Sequence, residues 1–161
     1  MKITVPKPPP ASFPYIKKTM TSNRSSNTKP EILLRKALRN EGIRRFRLNW
    51  KMVKGKPDLC FPTEKIAIFV NGCFWHRCPR CKLPLPKSNA FYWRKKLSRN
   101  IQRDKQRESQ LRKEGWLVYN FWECSIEKSP QAVAEKIKKL LYKRNPHFCS
   151  IPTFVAPRTY R

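Results

Sequence analysis

The chain has 161 residues and a mass of 19.2 kDa, enough for one domain with one substantial core and too little for two. Thirty-seven Lys and Arg stand against ten Asp and Glu, a formal charge of +27, which exceeds what solubility needs and points to a polyanionic partner. No stretch approaches the roughly 20 apolar residues of a membrane span, and the first twenty residues hold prolines and lysines where a signal peptide needs an apolar run. The expectation is an intracellular, cytoplasmic protein that meets no membrane.

Residues 1–27, rich in Pro, Lys, Ser, Thr and Asn, read as an extended arm. Lys17, Lys18 and Arg24 within it are expected to track nucleic-acid phosphates. A folded domain is expected over 28–145. It opens at Thr28-Lys29-Pro30-Glu31, a Thr N-cap with Pro in the first turn and Glu at the capping-box position, and Gly42 stops this first helix. Leu34, Ala37 and Leu38 form its inward stripe. Three short β-type runs follow at 43–48, 58–61 and 65–70, with Pro62-Thr63-Glu64 as the turn between the last two. A cysteine-rich loop over 71–87 leads to a long basic helix at 89–114, closed by Gly115. A strand at 116–121 then lies parallel to one already in the sheet, because a strand, helix, strand order implies a crossover. An amphipathic helix at 130–143 precedes an irregular tail over 146–161. The class is α/β, a mixed sheet flanked by helices. Basic residues interleaved with Trp, Phe and Leu favour a folded nucleic-acid surface over a solvated arm, although a ribosomal or nucleoid protein would carry the same charge.

Cys73-x4-Cys78-x2-Cys81 puts three thiols in nine residues, and the C-x2-C step lets two sulfurs share one tetrahedral ion. In a reducing compartment such spacing favours metal over disulfide. The fourth ligand is His76 or Cys124. Parallel strands would bring Cys124 to the edge that carries Cys73, so Cys124 is preferred and His76 is left free. Four protein ligands make the zinc structural, with no open position. Cys60 and Cys149 have no evident partners.

In so basic a chain the few acids are informative. Asp58 follows Pro57 at the start of a strand and either caps a turn or binds magnesium, an ion that prefers hard oxygen ligands. Asp104 continues the series Trp93, Leu97, Ile101 along one helix face. A carboxylate there needs a partner: either a basic neighbour, Arg99 or Arg103, or His76, whose tautomer it would fix. Glu31 has a capping role beside a catalytic one.

The runs Lys56-Pro57-Asp58-Leu59, Asn71-Gly72-Cys73-Phe74-Trp75-His76, Tyr92-Trp93, Arg99-Asn100 through Arg103-Asp104, and Gly115-Trp116 through Trp122-Glu123-Cys124 resemble, in order and spacing, the very-short-patch-repair (Vsr) mismatch endonucleases. The opening Thr28-Lys29-Pro30-Glu31 matches as well, and the resemblance spans roughly 17–141. It implies a restriction-endonuclease-like fold that nicks one strand beside a thymine-guanine mismatch, leaving a 5′ phosphate and a 3′ hydroxyl. It also implies that Asp58 and the Val70 carbonyl bind Mg2+, that His76 activates water, that Asp104 orients His76, and that Glu31 completes the set. Cys73, Cys78, Cys81 and Cys124 fall at its Zn2+ positions. Phe74, Trp75 and Trp93 fall at its aromatic wedge, which opens the base stack where pairing is weak. Two positions depart from the pattern. Asn71 stands where well-known members carry a histidine near the metal and the phosphate, and Cys78-Pro79-Arg80-Cys81 replaces a His-containing run and is one residue longer.

The expected function is therefore magnesium-dependent nicking of double-stranded, mismatched DNA by a monomer. The rival readings are a restriction or homing-type nuclease cutting a paired site, and a catalytically silent zinc-stapled DNA-binding module.

Overall fold

The computed structural model describes residues 3–8, 10 and 26–148. Lys17, Lys18 and Arg24 of the arm, Cys149 and most of the expected tail lie outside these residues. Residues 3–8 carry no regular structure, and the Ile3 N–H donates to Gln102 Oε1 (3.3 Å).

The first helix, α1 (Lys29–Asn40), starts where the capping box predicts: the Glu31 carboxylate accepts from the Asn27 N–H (2.9 Å), the Thr28 N–H (3.3 Å) and the Thr28 hydroxyl (2.7 Å). Leu34, Ala37 and Leu38 are fully buried along one stripe. Past the helix, Gly42 takes a positive φ of 77° and the Ile43 N–H returns to the Leu38 carbonyl (2.8 Å). That return tucks Ile43 into the core. It also shortens the strand expected from residue 43: β1 is only Arg47–Leu48, since its partner β2 (Leu59–Phe61) offers two residues to pair with it.

Strand β3 (Ile66–Asn71) runs antiparallel to β2 and parallel to β4 (Leu117–Trp122), giving a mixed four-stranded sheet in the order β1-β2-β3-β4. Between β3 and β4 lies α2 (Ala90–Lys113), closed by Gly115 at φ 82°. A one-turn-plus helix that the sequence did not announce, α3 (Glu123–Lys128), follows β4 directly, and α4 (Pro130–Arg144) starts at Ser129, whose side chain accepts from the Ala132 N–H.

Strand alternation explains the two cores. Leu59, Phe61, Ile66, Ile68 and Phe121 face α1 and α4, joining Leu34, Leu38, Ile137 and Leu141. Cys60, Ala67, Phe69 and Val118 face the other way and meet Leu111 of α2, with Val53 from the β1–β2 connection. Helices thus flank both faces. The parallel register Asn71↔Trp122 ends β3 and β4 at one edge of the sheet, and the chemistry-bearing residues collect there. No helix among the described residues is long and apolar enough to cross a membrane.

Candidate active site

A cleft of about 1410 Å³ opens at this edge, lined among others by Glu31, Asp58, Val70, Asn71, His76 and Arg107. Each comes from a different piece of structure. Glu31 is held by its capping bonds in the first turn of α1 and is buried. Asp58 sits one residue before β2, where its Oδ2 accepts the Val70 N–H (2.7 Å). A strand residue projects N–H and C=O to the same side, so the Val70 carbonyl also lies on the Asp58 side. The last pair of the β2–β3 ladder, Leu59↔Ile68, is two residues back. Asn71, buried, ends β3 beside them.

Burial raises the Asp58 carboxyl from its ordinary 3.8 to about 6. The Val70 N–H opposes this and the nearby Glu31 charge adds to it, while Arg107 and His76 pull it back. The Asp58 and Glu31 carboxylates in one pocket, beside a strand carbonyl, form a hard-oxygen donor set. That set suits a divalent cation of the magnesium type.

His76 reaches the cleft through a tight turn after β3, in which the His76 N–H bonds the Gly72 carbonyl (3.1 Å) and the Cys78 N–H the Cys73 carbonyl (2.9 Å). A Cβ at Gly72 would press within 3.3 Å of the Trp75 ring. The imidazole Nδ1 is hydrogen-bonded to Asp104 Oδ2. The other Asp104 oxygen takes Arg107 Nη2 at 3.1 Å. The helical stripe that brought Asp104 to this face is the one read from Trp93, Leu97 and Ile101. Of the basic partners considered for Asp104, Arg103 instead donates to Asn100 Oδ1 (2.5 Å), and the cation beside Asp104 is Arg107, one turn on. Arg107 escaped the sequence reading although its i+3 spacing from Asp104 was a signal. Its guanidinium lies 3.7 Å from the centre of the Phe69 ring, and burial lowers its pKa against the opposing pull of Asp104 and Asp58.

Phe74, Trp75 and Trp93 meet as a partly exposed trio, with ring centroids 5.2, 5.5 and 6.0 Å apart. Lys96 Nζ lies over Trp75 and Trp93 at 5.3 and 5.4 Å. Phe74 and Trp75 line the same cleft as Asp58. The trio sits on the turn and on α2, not in either core.

Cys73, Cys78, Cys81 and Cys124 bring their sulfurs within 4.8 Å of one another. Four thiolates around zinc at about 2.3 Å stand about 3.8 Å apart, so this set closes a tetrahedron with small adjustments; Cys78 and Cys124 are at 4.0 Å. Burial works against the Cys78 thiolate, yet the N–H groups of Cys81 and Arg80, together with hydrogen bonds from the Cys81 and Cys124 thiols, bring it down to about 7. Cys60, in the second core, is pushed up to about 11 by burial and stands apart from the cluster. Helix α3 explains how Cys124 arrives. Glu123 at its start accepts the Cys73 N–H at 2.9 Å, tying the two sequence-distant halves of the cluster together.

The family model for DNA mismatch endonuclease Vsr matches residues 15–82. A type II nicking enzyme, V.NmeDIP of Neisseria meningitidis serogroup C, is 41% identical over 125 residues, covering 76% of this chain and 83% of its own. The type II nicking enzyme V.XorIIP of Xanthomonas oryzae pv. oryzae is 43% identical over 108 residues, 66% of this chain and 78% of its own. The DNA mismatch endonuclease Vsr of Escherichia coli is 28% identical over 124 residues, 77% and 79% respectively. With this extent of identity, on the mixed sheet and the cysteine cluster described above, the chain belongs to the Vsr family, a family of DNA endonucleases.

Proposed function

We propose that this endonuclease nicks one strand of duplex DNA beside a thymine-guanine mismatch, using Mg2+, as a monomer in the cytoplasm. The observation that carries the reading is the joining, in one cleft, of an acidic pair, a carboxylate-bound histidine and two partly exposed aromatic rings, Phe74 and Trp75, which Trp93 packs against.

Asp58 and the Val70 carbonyl would hold the magnesium, with Glu31 adding negative charge nearby. Bound there, the ion would neutralise charge that develops on the phosphate. His76 accepts a proton from water while Asp104 keeps the Nδ1–H tautomer and supports the charged ring. The water oxygen bonds to phosphorus as the bond to O3′ breaks, leaving a 5′ phosphate and a 3′ hydroxyl. Phe74, Trp75 and Trp93 wedge into the stack, which costs least at a weakly paired step, so the mismatch is selected by its deformability. Asn71, a neutral amide at the cleft wall, contacts the phosphate without moving a proton. Cys73 and Cys78 bracket the turn that carries Phe74, Trp75 and His76, and with Cys81 and Cys124 they would hold a zinc ion that fixes that turn. Lys17, Lys18 and Arg24 extend the contact to flanking phosphates.

The test compares duplexes with a T:G mismatch in varied contexts against fully paired controls, with magnesium, for wild type and Asp58→Ala. The expected result is a single-strand nick on mismatched duplex only, lost in the variant. Equal cutting of paired DNA would replace this reading with a site-specific nuclease, and no cutting in any context would leave a DNA-binding module.

A further inference from the structure

The connection between β1 and β2, residues 49–56, runs Asn-Trp-Lys-Met-Val-Lys-Gly-Lys and takes no part in the site as described so far. It is firmly anchored. Val53 is 3% exposed in the second core, packed with Trp50 at its side. The Val53 N–H bonds the Trp50 carbonyl (3.2 Å), the Lys56 N–H bonds the Val53 carbonyl (3.0 Å), and the Asn49 N–H bonds the Asp58 carbonyl (3.4 Å) at the neck. Gly55, at φ 79°, lies so close to Arg107 that a Cβ there would overlap the arginine's Cγ and Cδ.

What this rigid loop displays has no use inside the molecule. Met52 is 81% exposed, the most exposed large apolar side chain among the described residues. Lys51 and Lys56 are exposed and line the Asp58 cleft, and among the described residues neither has a carboxylate within ion-pair distance. Lys54 reaches only a solvent-exposed Glu114 at 3.9 Å. Lys56 adopts left-handed backbone, φ 46°, which costs a residue with a long side chain about 1 kcal/mol or more. Glycine would relieve the strain at 56. A strained lysine and a second lysine without a partner, both lining the cleft, with a bare methionine on the same short loop, are the make-up of a surface completed by a polyanion that also offers sugar and base edges.

We propose that residues 51–56 form a second DNA grip, in which Lys51 and Lys56 each neutralise a backbone phosphate and Met52 lies against sugar and base edges in the groove. It holds the duplex in the cleft that Phe74 and Trp75 also line. This rests on the reading of the cleft as a DNA site but not on the mismatch preference.

The test is equilibrium binding of a T:G duplex and its paired counterpart between 50 and 200 mM salt, without magnesium, by fluorescence anisotropy. Each phosphate contact contributes about 0.9 to the slope of log affinity on log salt. The double variant Lys51→Gln/Lys56→Gln should therefore lose about 1.8 from the slope, so that its affinity falls about twelvefold less across that range. Met52→Ala should weaken binding about three- to tenfold at every salt concentration with the slope unchanged. A wild-type slope in the double variant overturns the grip. If wild type binds both duplexes equally and the slope still falls, the grip stands and the mismatch reading fails. If wild type prefers the mismatch and the double variant matches it in slope and affinity, the grip fails alone.

Discussion

Replacing Asp58 by Asn should abolish nicking and at the same time make the protein harder to unfold. Asp58 titrates at about 6 in the folded chain against 3.8 as its ordinary value, chiefly because it is buried. A carboxyl raised in this way destabilises the fold once it ionises. Between pH 3.8 and about 6 the folded chain keeps a proton that the unfolded chain has released, so folding weakens steadily across that window and stays weakened above it. The gap amounts to ~3 kcal/mol at pH 8 and to roughly half of that at pH 5. Asparagine keeps an oxygen for the Val70 N–H and cannot ionise. In magnesium-free buffer, with zinc left in place, urea unfolding of the two proteins side by side should give the variant an advantage of up to ~3 kcal/mol at pH 8, shrinking by about 1.4 kcal/mol at pH 5. Comparison at each pH cancels the zinc site's own pH dependence. Added magnesium should then stabilise wild type and leave the variant unmoved. A variant no more stable than wild type at pH 8, or an advantage independent of pH, would show that ionising Asp58 does not weaken the fold.

Asp104→Asn should lower the nicking rate about 10²- to 10⁴-fold with DNA affinity retained, since it loosens the hold on His76 without touching the binding surface; single-turnover rates beside anisotropy check this. Gly55→Ala should cost about 1–2 kcal/mol in urea unfolding, from the left-handed backbone and the overlap with Arg107. Cys124→Ser should reduce bound zinc below one ion per chain and lower the melting temperature, measured by metal release and thermal unfolding, whereas Cys60→Ser should keep the zinc content of wild type.

Elements that rest on local chemistry were legible in the sequence. The capping box at Thr28 and Glu31, the glycine stops at 42 and 115, and the short apolar runs of β2 and β3 each depend on neighbours in the chain. Preference for Cys124 as the fourth sulfur followed from one topological inference, the parallel pairing of β3 with β4, and the register Asn71↔Trp122 brings the sulfurs together. What escaped depends on three-dimensional packing. Strand β1 is short because Ile43 is drawn into the core, which no periodicity in 43–48 reveals. Helix α3 has too few residues to show a period, yet its Glu123 ties Cys124 to Cys73. Arg107 is one of 37 basic residues; its i+3 spacing from Asp104 hints at the pair, and its burial against Phe69 and Gly55 singles it out.

In the proposed reaction the DNA strand is cut in the cleft lined by Glu31, Asp58 and His76, with Asp104 bonded to His76. The most direct measurement is single-turnover cleavage of a T:G duplex by wild type and His76→Ala, with binding of the same duplex and zinc content measured on the same samples. The expected result is unchanged zinc, affinity within a few-fold of wild type and a cleavage rate reduced at least about a hundredfold. Cleavage at the wild-type rate by the variant would contradict the proposed reaction.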